Sequence, residues 1–124
     1  HVTVQDYVIL AGMVAVHQFC NIGTHAFIAG GSLVRKDIPP FVKAAREPLS
    51  YVGINSVGLR RRGFESAKIR EIQNIYRILY QKKYNNTQAI DIIEAEVEAT
   101  KARDEILLFI RNSQRGIMKG YIQN

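Results

Sequence analysis

Branched aliphatic residues recur at every sixth position over residues 4–39, and this repeat restricts the possible folds more than any other feature of the sequence. The first positions of successive hexads are Val4, Leu10, Val16, Ile22, Ile28 and Val34. The fifth positions are mostly small, and they are Val8, Val14, Cys20, Ala26, Ser32 and Ile38. A period of six matches neither an amphipathic strand nor a helix, whose periods are 2 and about 3.6 residues. The repeat therefore predicts a solenoid.

Three hexads are expected to form one triangular coil in which each flat side is a short strand. The aliphatic residue of each hexad then points inward and stacks on its equivalent 18 residues later, which places Gly12 under Gly30 and Tyr7 under His25. The alternative is a run of ordinary buried strands, but six unbroken hexads make that explanation poor. Because a coil cannot bury both of its faces and the repeat is in phase from the start, further coils are expected before His1.

The repeat is expected to end at residues 37–40, Asp-Ile-Pro-Pro, because proline cannot donate to a ladder between coils. Residues 41–54 contain Pro48 and Gly53, have no clean period and predict an irregular connecting loop. The fold class is therefore mixed β and α, with hexapeptide coils over residues 1–40, a loop over 41–54 and a helical domain over 55–124.

Four helices are predicted in the second part of the chain. A short one over residues 55–62 is expected to stop at Gly63, and an apolar stripe predicts a second over residues 66–82. Asn86 or Thr87 is expected to cap the third, and Thr100 the fourth. The apolar residues that define the last three helices are Ile69, Ile72, Tyr76 and Leu79, then Ile90, Ile93 and Val97, then Ile106, Phe109 and Ile110.

Composition excludes several classes of protein. An apolar fraction of 47% is enough for a buried core, so disorder is not expected. No apolar run approaches the roughly 20 residues of a membrane span, and no basic and apolar leader opens the chain, so we expect neither a transmembrane protein nor a secreted precursor. The single cysteine, Cys20, cannot form an internal disulfide and favours a reducing compartment, for which the cytoplasm is the default.

The net charge of +6 favours an anionic partner. Residues 1–83 carry 12 basic and 5 acidic side chains, whereas residues 84–124 carry 5 and 6, so the anion-attracting surface is expected in the first two thirds of the chain. Nucleic acid is a weak candidate, because the sequence shows neither a recognition-helix motif nor an interleaved aromatic platform.

The order of hexapeptide solenoid, Pro-Pro, connection and helices is shared by several sugar acyltransferases, and particular motifs narrow the choice. Gly12-Met13, residues 15–20 (AVHQFC), Ile22-Gly23 and residues 37–40 resemble the UDP-N-acetylglucosamine acyltransferases of lipid A biosynthesis. Asn55 and residues 58–64 (GLRRRGF) match that family's Asn-x-x-Gly-Leu-x-Arg-Arg-Gly-Phe signature, and residues 115–117 look like its C-terminal tail. The chain is thus similar to the C-terminal half of this family's proteins.

The resemblance implies a left-handed parallel β-helix with a C-terminal α-helical domain, in a homotrimer whose active sites lie between subunits. The implied reaction moves a 3-hydroxyacyl chain from acyl carrier protein to the 3-hydroxyl of UDP-N-acetylglucosamine, the first step of lipid A biosynthesis. No cofactor is implied, because the acyl donor is carried on the phosphopantetheine of the carrier protein. The family's catalytic histidine, the general base, and its oxyanion-hole glycine match positions upstream of His1. We therefore expect no catalytic residue in this chain and no turnover by the fragment alone.

Histidine and arginine residues dominate the implied substrate-binding site. His1, His17 and Gln18 match family residues around the sugar and diphosphate, although an isolated His1 or His17 is more often an ordinary surface or inter-subunit histidine. His25 also matches a family position, but we expect only packing against Tyr7 or a neighbouring subunit.

Three adjacent arginines, Arg60, Arg61 and Arg62, point about 100° apart on a helix, so at most two can reach one ligand. The family pattern selects Arg61 and Arg62 for bidentate contact with phosphate oxygens. Asn55 is expected to bond the uracil or ribose. Val57 departs from the family, which often has a carboxylate at that position.

Gly30 matches the family position that limits acyl-chain length, with Phe27 nearby, and a glycine there predicts an open groove and a long chain. The alternative is that Gly30-Gly31 only permits a tight corner, and both can hold. Residues 46–48 (REP) replace a Gly-Asn-His-like run that relatives often carry. Five basic residues are candidates for attracting the acidic carrier protein at long range: Arg35, Lys36, Lys43, Lys68 and Arg70.

Two alternatives belong to other classes of protein. A hexapeptide-repeat carbonic anhydrase would bind zinc through histidines of adjacent subunits, but His17 and His25 are eight residues apart and that family's five-residue spacing is missing. No metal site is therefore predicted. A non-catalytic trimerising module is the behaviour expected of the isolated piece.

Overall fold

Six two-residue strands form the three flat sides of a triangular solenoid. The computed structural model of the chain describes residues 1–81 and 83–120. Each strand of the first coil pairs in parallel with the strand 18 residues later, as Val4 does with Ile22 and Leu10 with Ile28. The predicted coil of three hexads is therefore confirmed. The strands are β1 (Thr3–Val4), β2 (Ile9–Leu10), β3 (Ala15–Val16), β4 (Asn21–Ile22), β5 (Phe27–Ile28) and β6 (Leu33–Val34).

The first-position residues of the hexads fill the interior of the prism. Ile22, Ile28 and Val34 of the second coil are fully buried. Val4 and Leu10 of the first coil are 46% and 42% exposed, because they lie at the open end of the described coils. Burial of each branched side chain in the second coil stabilises the fold by roughly 1.5–3 kcal/mol.

A residue with left-handed backbone forms each corner of the prism. The φ angle is 61° at Tyr7, 63° at Met13, 69° at Phe19, 59° at His25 and 76° at Gly31. Such a φ costs roughly 1–2 kcal/mol at a residue other than glycine, so contacts between coils must hold these turns. The first corner contains His1 and Phe19, the second contains Tyr7, His25 and Phe41, and the third contains Met13 and Gly31.

The expectation that residues 37–40 end the repeat is wrong, because the chain continues into a shortened third coil. Ile38 pairs with Ile22, and Ala44 pairs with Ile28, so the spacing between coils falls to 16 residues. Proline has no backbone N–H to donate, but the carbonyl of the residue before it can still accept a hydrogen bond. Gly23 N accordingly donates to Ile38 O over 2.7 Å. The two prolines therefore shorten the coil without breaking the solenoid.

The irregular loop predicted over residues 41–54 is also wrong. Strand β7 (Val42–Ala45) pairs in parallel with β5 and antiparallel with β8 (Ser50–Ile54). Val42 and Ala44 are buried and Lys43 between them is exposed, which is the two-residue period of a strand. This alternation is too short to recognise in the sequence beside Pro48 and Gly53.

Four helices follow the hairpin: α1 (Ser56–Arg61), α2 (Ser66–Gln81), α3 (Asn86–Glu96) and α4 (Lys101–Asn112). Gly63, with φ of 88°, follows α1 as predicted. The predicted end of α2 at Lys82 lies outside the described residues, as do residues 121–124 of the predicted helical domain.

Two predicted helix caps have different outcomes. The cap of α3 is Asn85 rather than Asn86 or Thr87, because Asn85 and Gln88 each bond the other's backbone N–H through their side chains. Thr100 caps α4 as predicted, since its side chain accepts a hydrogen bond from Arg103 N.

Residues 113–120, which we call the return segment, run from α4 back to the solenoid. Isolated parallel bridges join Asp37 to Ile117 and Tyr51 to Gly120. Tyr51 of β8 stacks on Tyr76 and Tyr80 of α2, with ring centroids 5.6 and 4.5 Å apart. The return segment and the tyrosines therefore tie the helices to the third coil.

Candidate functional site

Three of the predicted substrate-binding residues lie at the first corner. The His1 ring stacks on Phe19 with centroids 5.7 Å apart. His17 and Gln18 precede Phe19 in the same turn, and both are exposed. A cavity of about 660 Å³, lined in part by Phe19 and Arg115, opens beside them. The structure thus places His1, His17 and Gln18 together.

The predicted phosphate-binding arginines lie at the second corner. The Arg62 guanidinium carbon lies 4.5 Å from the Tyr7 ring centroid, in cation–π contact. A guanidinium that contacts an aromatic ring through its face can still use its N–H edges for phosphate oxygens. Arg61 is exposed beside it. The corner therefore offers two cations, one of them held by an aromatic ring.

Asn55 is buried, and both ends of its side chain already have partners. Its Nδ2 donates to His25 O over 2.9 Å, and its Oδ1 accepts from Gly58 N over 3.3 Å. Asn55 thus caps α1 and joins that helix to the second corner. Its predicted contact with uracil or ribose is untested and would have to use the second N–H of the amide or the second lone pair of Oδ1.

His25 packs against Tyr7 as predicted, with centroids 4.9 Å apart, and also contacts Phe41 and Phe64. Burial lowers the pKa of His25 below the usual histidine value, while the Glu105 carboxylate opposes that shift. An imidazole enclosed in this way does not reach a substrate hydroxyl. His25 therefore belongs to the packing of the second corner.

The predicted acyl-groove residues lie apart from both groups. Phe27 is half-buried on β5, and Lys43 Nζ lies 5.8 Å from its ring centroid. Gly30 lies over Gly12 as predicted, and a Cβ added there would be 3.0 Å from Gly12 O. The positive φ of Gly31 supports the tight-corner explanation of the glycine pair, and it leaves room for the groove explanation as well.

Helix α4 lies over the solenoid face between the first and second corners. Thr24 Oγ1 donates a hydrogen bond to Glu105 of this helix. A cavity of about 610 Å³ between helix and face is lined by three carboxylates, those of Asp6, Asp37 and Glu105. Carboxylates repel a diphosphate, so this face is a poor candidate for the predicted nucleotide-sugar site. The first-corner and second-corner groups of one chain are therefore separated.

The sequence analysis did not predict two contacts that the candidate site residues make. Arg115 Nη2 donates to Gln18 O over 3.0 Å, and Tyr7 supports Arg62. The only available signal for Tyr7 was its fourth position in a hexad, where Phe19 and His25 recur. Val57, the departure from the family pattern, is 62% exposed on α1.

Among residues 1–81 and 83–120, no three histidine, cysteine, aspartate or glutamate side chains are arranged to hold a metal ion. The helices of this described part are also too short or too polar to cross a membrane.

Comparison with known proteins identifies what the chain is similar to. Residues 37–118 match the model of the family described as UDP-N-acetylglucosamine O-acyltransferase, domain 2. The acyl-[acyl-carrier-protein]–UDP-N-acetylglucosamine O-acyltransferase of Myxococcus xanthus is 40% identical over 95% of this chain and 46% of its own length. That of Aliivibrio salmonicida is 41% identical over 96% of this chain and 45% of its own length. The chain thus spans less than half the length of these curated relatives.

Solved structures agree with the sequence matches. The UDP-N-acetylglucosamine acyltransferase of Bacteroides fragilis superposes with a TM-score of 0.93 and 47% identity, over 95% of this chain and 46% of that one. The Francisella novicida enzyme gives a TM-score of 0.90 and 39% identity, over 96% and 44%. The predicted left-handed parallel β-helix followed by helices is confirmed.

Proposed function

Because this chain belongs to the UDP-N-acetylglucosamine O-acyltransferase family, we propose that the protein that carries it transfers an acyl chain from acyl carrier protein to UDP-N-acetylglucosamine. The observation that carries the proposal is that sequence and fold follow this family over nearly the whole chain. More specifically, we propose that the acyl chain is a 3-hydroxyacyl chain and that it is transferred to the 3-hydroxyl of the sugar, in the first step of lipid A biosynthesis. Family membership favours this reaction over a zinc-dependent one on the same solenoid.

The residues of this chain bind the substrate, and the general base is supplied from elsewhere. Arg61 and Arg62 are suited to the diphosphate, because a guanidinium forms two parallel bonds with phosphate oxygens. His17 and Gln18 are suited to the sugar end, where exposed ring nitrogen and amide groups meet hydroxyls. His25 is buried among aromatic rings. This supports the expectation that the general base corresponds to a family position upstream of the one that His1 matches.

A site shared between copies of the chain explains why its residues are divided. The first-corner group and the second-corner group lie on either side of α4, and carboxylates line the space between them. In a cyclic assembly, the first corner of one copy can face the second corner of the next. We therefore propose a homotrimer in which each nucleotide sugar contacts two chains.

The acyl donor is proposed to arrive on the phosphopantetheine of acyl carrier protein, without a cofactor resident in this chain. The candidate basic residues Arg35, Lys36, Lys43, Lys68 and Arg70 are all exposed. Their positive charge would speed association with an acidic carrier, and salt would weaken this effect. The long acyl chain inferred from Gly30 and the cytoplasmic location inferred from Cys20 both stay predictions.

The direct test is an assay of the protein that carries this chain, with acyl carrier proteins of defined chain length and detection of acylated UDP-N-acetylglucosamine by mass spectrometry. R61A and R62A are each expected to raise KM for the nucleotide sugar about tenfold or more, since a hydrogen bond between charged groups contributes roughly 1.5–3 kcal/mol. R60A is the matched control and is expected to change KM less than about twofold, because at most two adjacent arginines reach one ligand. Absence of product with every carrier tried would overturn the proposed function.

A further inference from the structure

Three corner carbonyls of the solenoid follow one hydrogen-bonding pattern, from which the carbonyl of Gln18 departs. The carbonyl that precedes a corner residue accepts a bond from the corner amide of the next coil. His25 N donates to Asp6 O over 3.0 Å, and Phe41 N donates to Thr24 O over 2.8 Å. At the third corner, Gly31 N donates to Gly12 O over 2.9 Å. Stacked coils therefore hold these three turns through the backbone.

The exception is the carbonyl of Gln18, which precedes Phe19 at the first corner. The third coil is shorter at this corner, because three residues separate Val34 from Ile38 whereas five separate Val16 from Ile22. Asp37, which lies opposite Asn21, donates its N–H to Gly116 O over 2.9 Å. At this corner Arg115 Nη2 donates to Gln18 O over 3.0 Å. A side chain of the return segment thus replaces a backbone donor at one corner.

The return segment is itself fixed at this point, so Arg115 is well anchored. Lys36 Nζ donates to Arg115 O over 3.1 Å, and Ser113 Oγ donates to Asp37 Oδ2 over 2.6 Å. The other oxygen of Asp37 accepts from Asn21 N over 2.8 Å. Both sides of Arg115 are therefore bonded to the third coil.

The bond to Gln18 O helps to hold the conformation of the turn, together with the bond from Phe19 N of the same peptide to His1 O. Cys20 N donates to His17 O, and φ of 69° at Phe19 makes residues 17–20 a turn of the kind that normally requires glycine at its third position. Rotation of the peptide between Gln18 and Phe19 would relieve that unfavourable φ. The hydrogen bond that Arg115 donates to the Gln18 carbonyl of this peptide opposes the rotation.

The same carbonyl also orients the His17 ring. His17 Nδ1 lies 3.2 Å from Gln18 O. A carbonyl oxygen only accepts, so in the neutral ring this hydrogen bond requires the proton on Nδ1 and leaves Nε2 as the acceptor. If the peptide rotated, His17 would lose the partner that sets its tautomer.

We propose that Arg115 is a positioning residue for the nucleotide sugar: its bond to the Gln18 carbonyl holds the turn that presents Gln18 and fixes the tautomer of His17. This inference rests on the proposed function, because it takes His17 and Gln18 as sugar contacts. Arg115 acts through the turn, and its effect should be greater on substrate binding than on turnover.

The test compares R115Q, R115K and R111Q in the protein that carries this chain. R115Q is expected to raise KM for UDP-N-acetylglucosamine about tenfold, the effect of losing one charge-assisted bond, with kcat changed less than about twofold. R115K keeps a charged donor and is expected to recover most of the binding. R111Q removes the same charge from an exposed arginine of α4 that pairs with Glu94, and is expected to leave KM unchanged.

Nitrogen-15 NMR of the histidine rings gives a second readout that needs no substrate. The unaltered protein is expected to show His17 protonated at Nδ1, and R115Q is expected to shift it toward the Nε2 form. An Nε2–H tautomer in the unaltered protein would overturn the proposal without any variant. So would an R115Q protein that is less stable but has unchanged KM and tautomer. Failure of the unaltered protein to bind UDP-N-acetylglucosamine would instead count against the proposed function, while the tautomer would still test the role of Arg115 in the turn.

Discussion

At the residue scale, the second and third coils approach closely where Gly23 meets Pro40. A Cβ at Gly23 would lie 2.5 Å from Pro40 N and 2.8 Å from its Cα, and backbone atoms cannot move aside as a flexible side chain can. G23A is therefore expected to lower the free energy of unfolding by about 1–3 kcal/mol, the usual cost of forcing extra volume into a packed site. Urea titration measures the change.

Gly12 provides the matched control, because a Cβ there meets nothing within 4 Å. G12A is expected to be neutral or to stabilise by roughly 0.4–1 kcal/mol, since alanine reduces the entropy of the unfolded chain. Equal urea midpoints for G23A and G12A would show that the third coil does not press against the second as described.

His25 makes stability depend on pH at the second corner. Burial lowers its pKa below the unfolded value of about 6.5, and the charge of Arg62 acts in the same direction, while Glu105 and Asp6 oppose it. The unfolded chain therefore binds a proton first as the pH falls. The contribution of His25 to stability is present above pH of about 6.5 and is lost as the pH falls toward the folded pKa.

H25F tests this contribution, because Phe41 of the next coil has the same left-handed backbone, with φ of 71°. The variant keeps an aromatic ring between Tyr7 and Phe64 and removes the titrating group. We expect a similar urea midpoint at pH 8 and a smaller loss between pH 7 and pH 5 than in the unaltered protein. An identical loss in both proteins would assign the acid sensitivity to other groups.

At the scale of elements, what the sequence predicts depends on how often a pattern is repeated. Because the pattern is repeated in six hexads, a single polar residue such as Ser32 does not obscure it. The length of the coil and its inward-facing residues were therefore predictable. Strand β7 offers one alternation, Val42-Lys43-Ala44, and such a short pattern is ambiguous. The pairing of β7 with β5 depends on how Pro39 and Pro40 shorten the third coil, which no local pattern encodes.

Three tyrosines couple the hairpin, α2 and the return segment. Tyr76 OH donates to Pro40 O over 2.5 Å, and Tyr80 OH donates to Met118 O over 2.8 Å. Burial raises the pKa of Tyr51 to about 12, and it also raises the pKa values of Tyr76 and Tyr80. The hydroxyl groups of this cluster therefore stay protonated in the folded protein well above the usual tyrosine value.

Alkaline pH is expected to destabilise the junction of these elements. The unfolded chain releases tyrosine protons from pH of about 10, while the folded chain retains them, so stability falls as the pH rises from there toward the folded pKa values. Y80F is expected to lower stability by about 1 kcal/mol at pH 7, because Met118 O loses its partner, and to reduce the additional loss at pH 10.5. Urea unfolding at pH 7 and at pH 10.5 measures both changes.

Y84F is the control, because it alters a 39% exposed tyrosine and should leave the loss of stability at alkaline pH unchanged. The same alkaline loss in Y80F and Y84F would contradict the prediction.

At the scale of the whole molecule, the sequence selects candidate site residues, and the structure shows which of them lie together in one chain. His17 and Arg62 could be selected from motifs because each motif is local. Their separation by α4 depends on where that helix packs, and its bond from Thr24 to Glu105 joins residues 81 positions apart along the chain. The contact between Arg115 and Gln18 spans 97 positions and is likewise a product of tertiary structure.

The proposed division of the site between copies predicts complementation between two variants that each bind the nucleotide sugar weakly. Q18A damages the first corner and leaves the second intact, whereas R62A does the reverse. In a cyclic trimer, every mixed assembly contains one junction where an intact first corner faces an intact second corner. Equal, random mixing gives mixed assemblies in about three quarters of the trimers, so about one quarter of all sites are restored. Coexpression followed by an acyl-transfer assay, relative to each variant alone, measures this recovery. A site built within one chain predicts no recovery, because every chain then carries one damaged half.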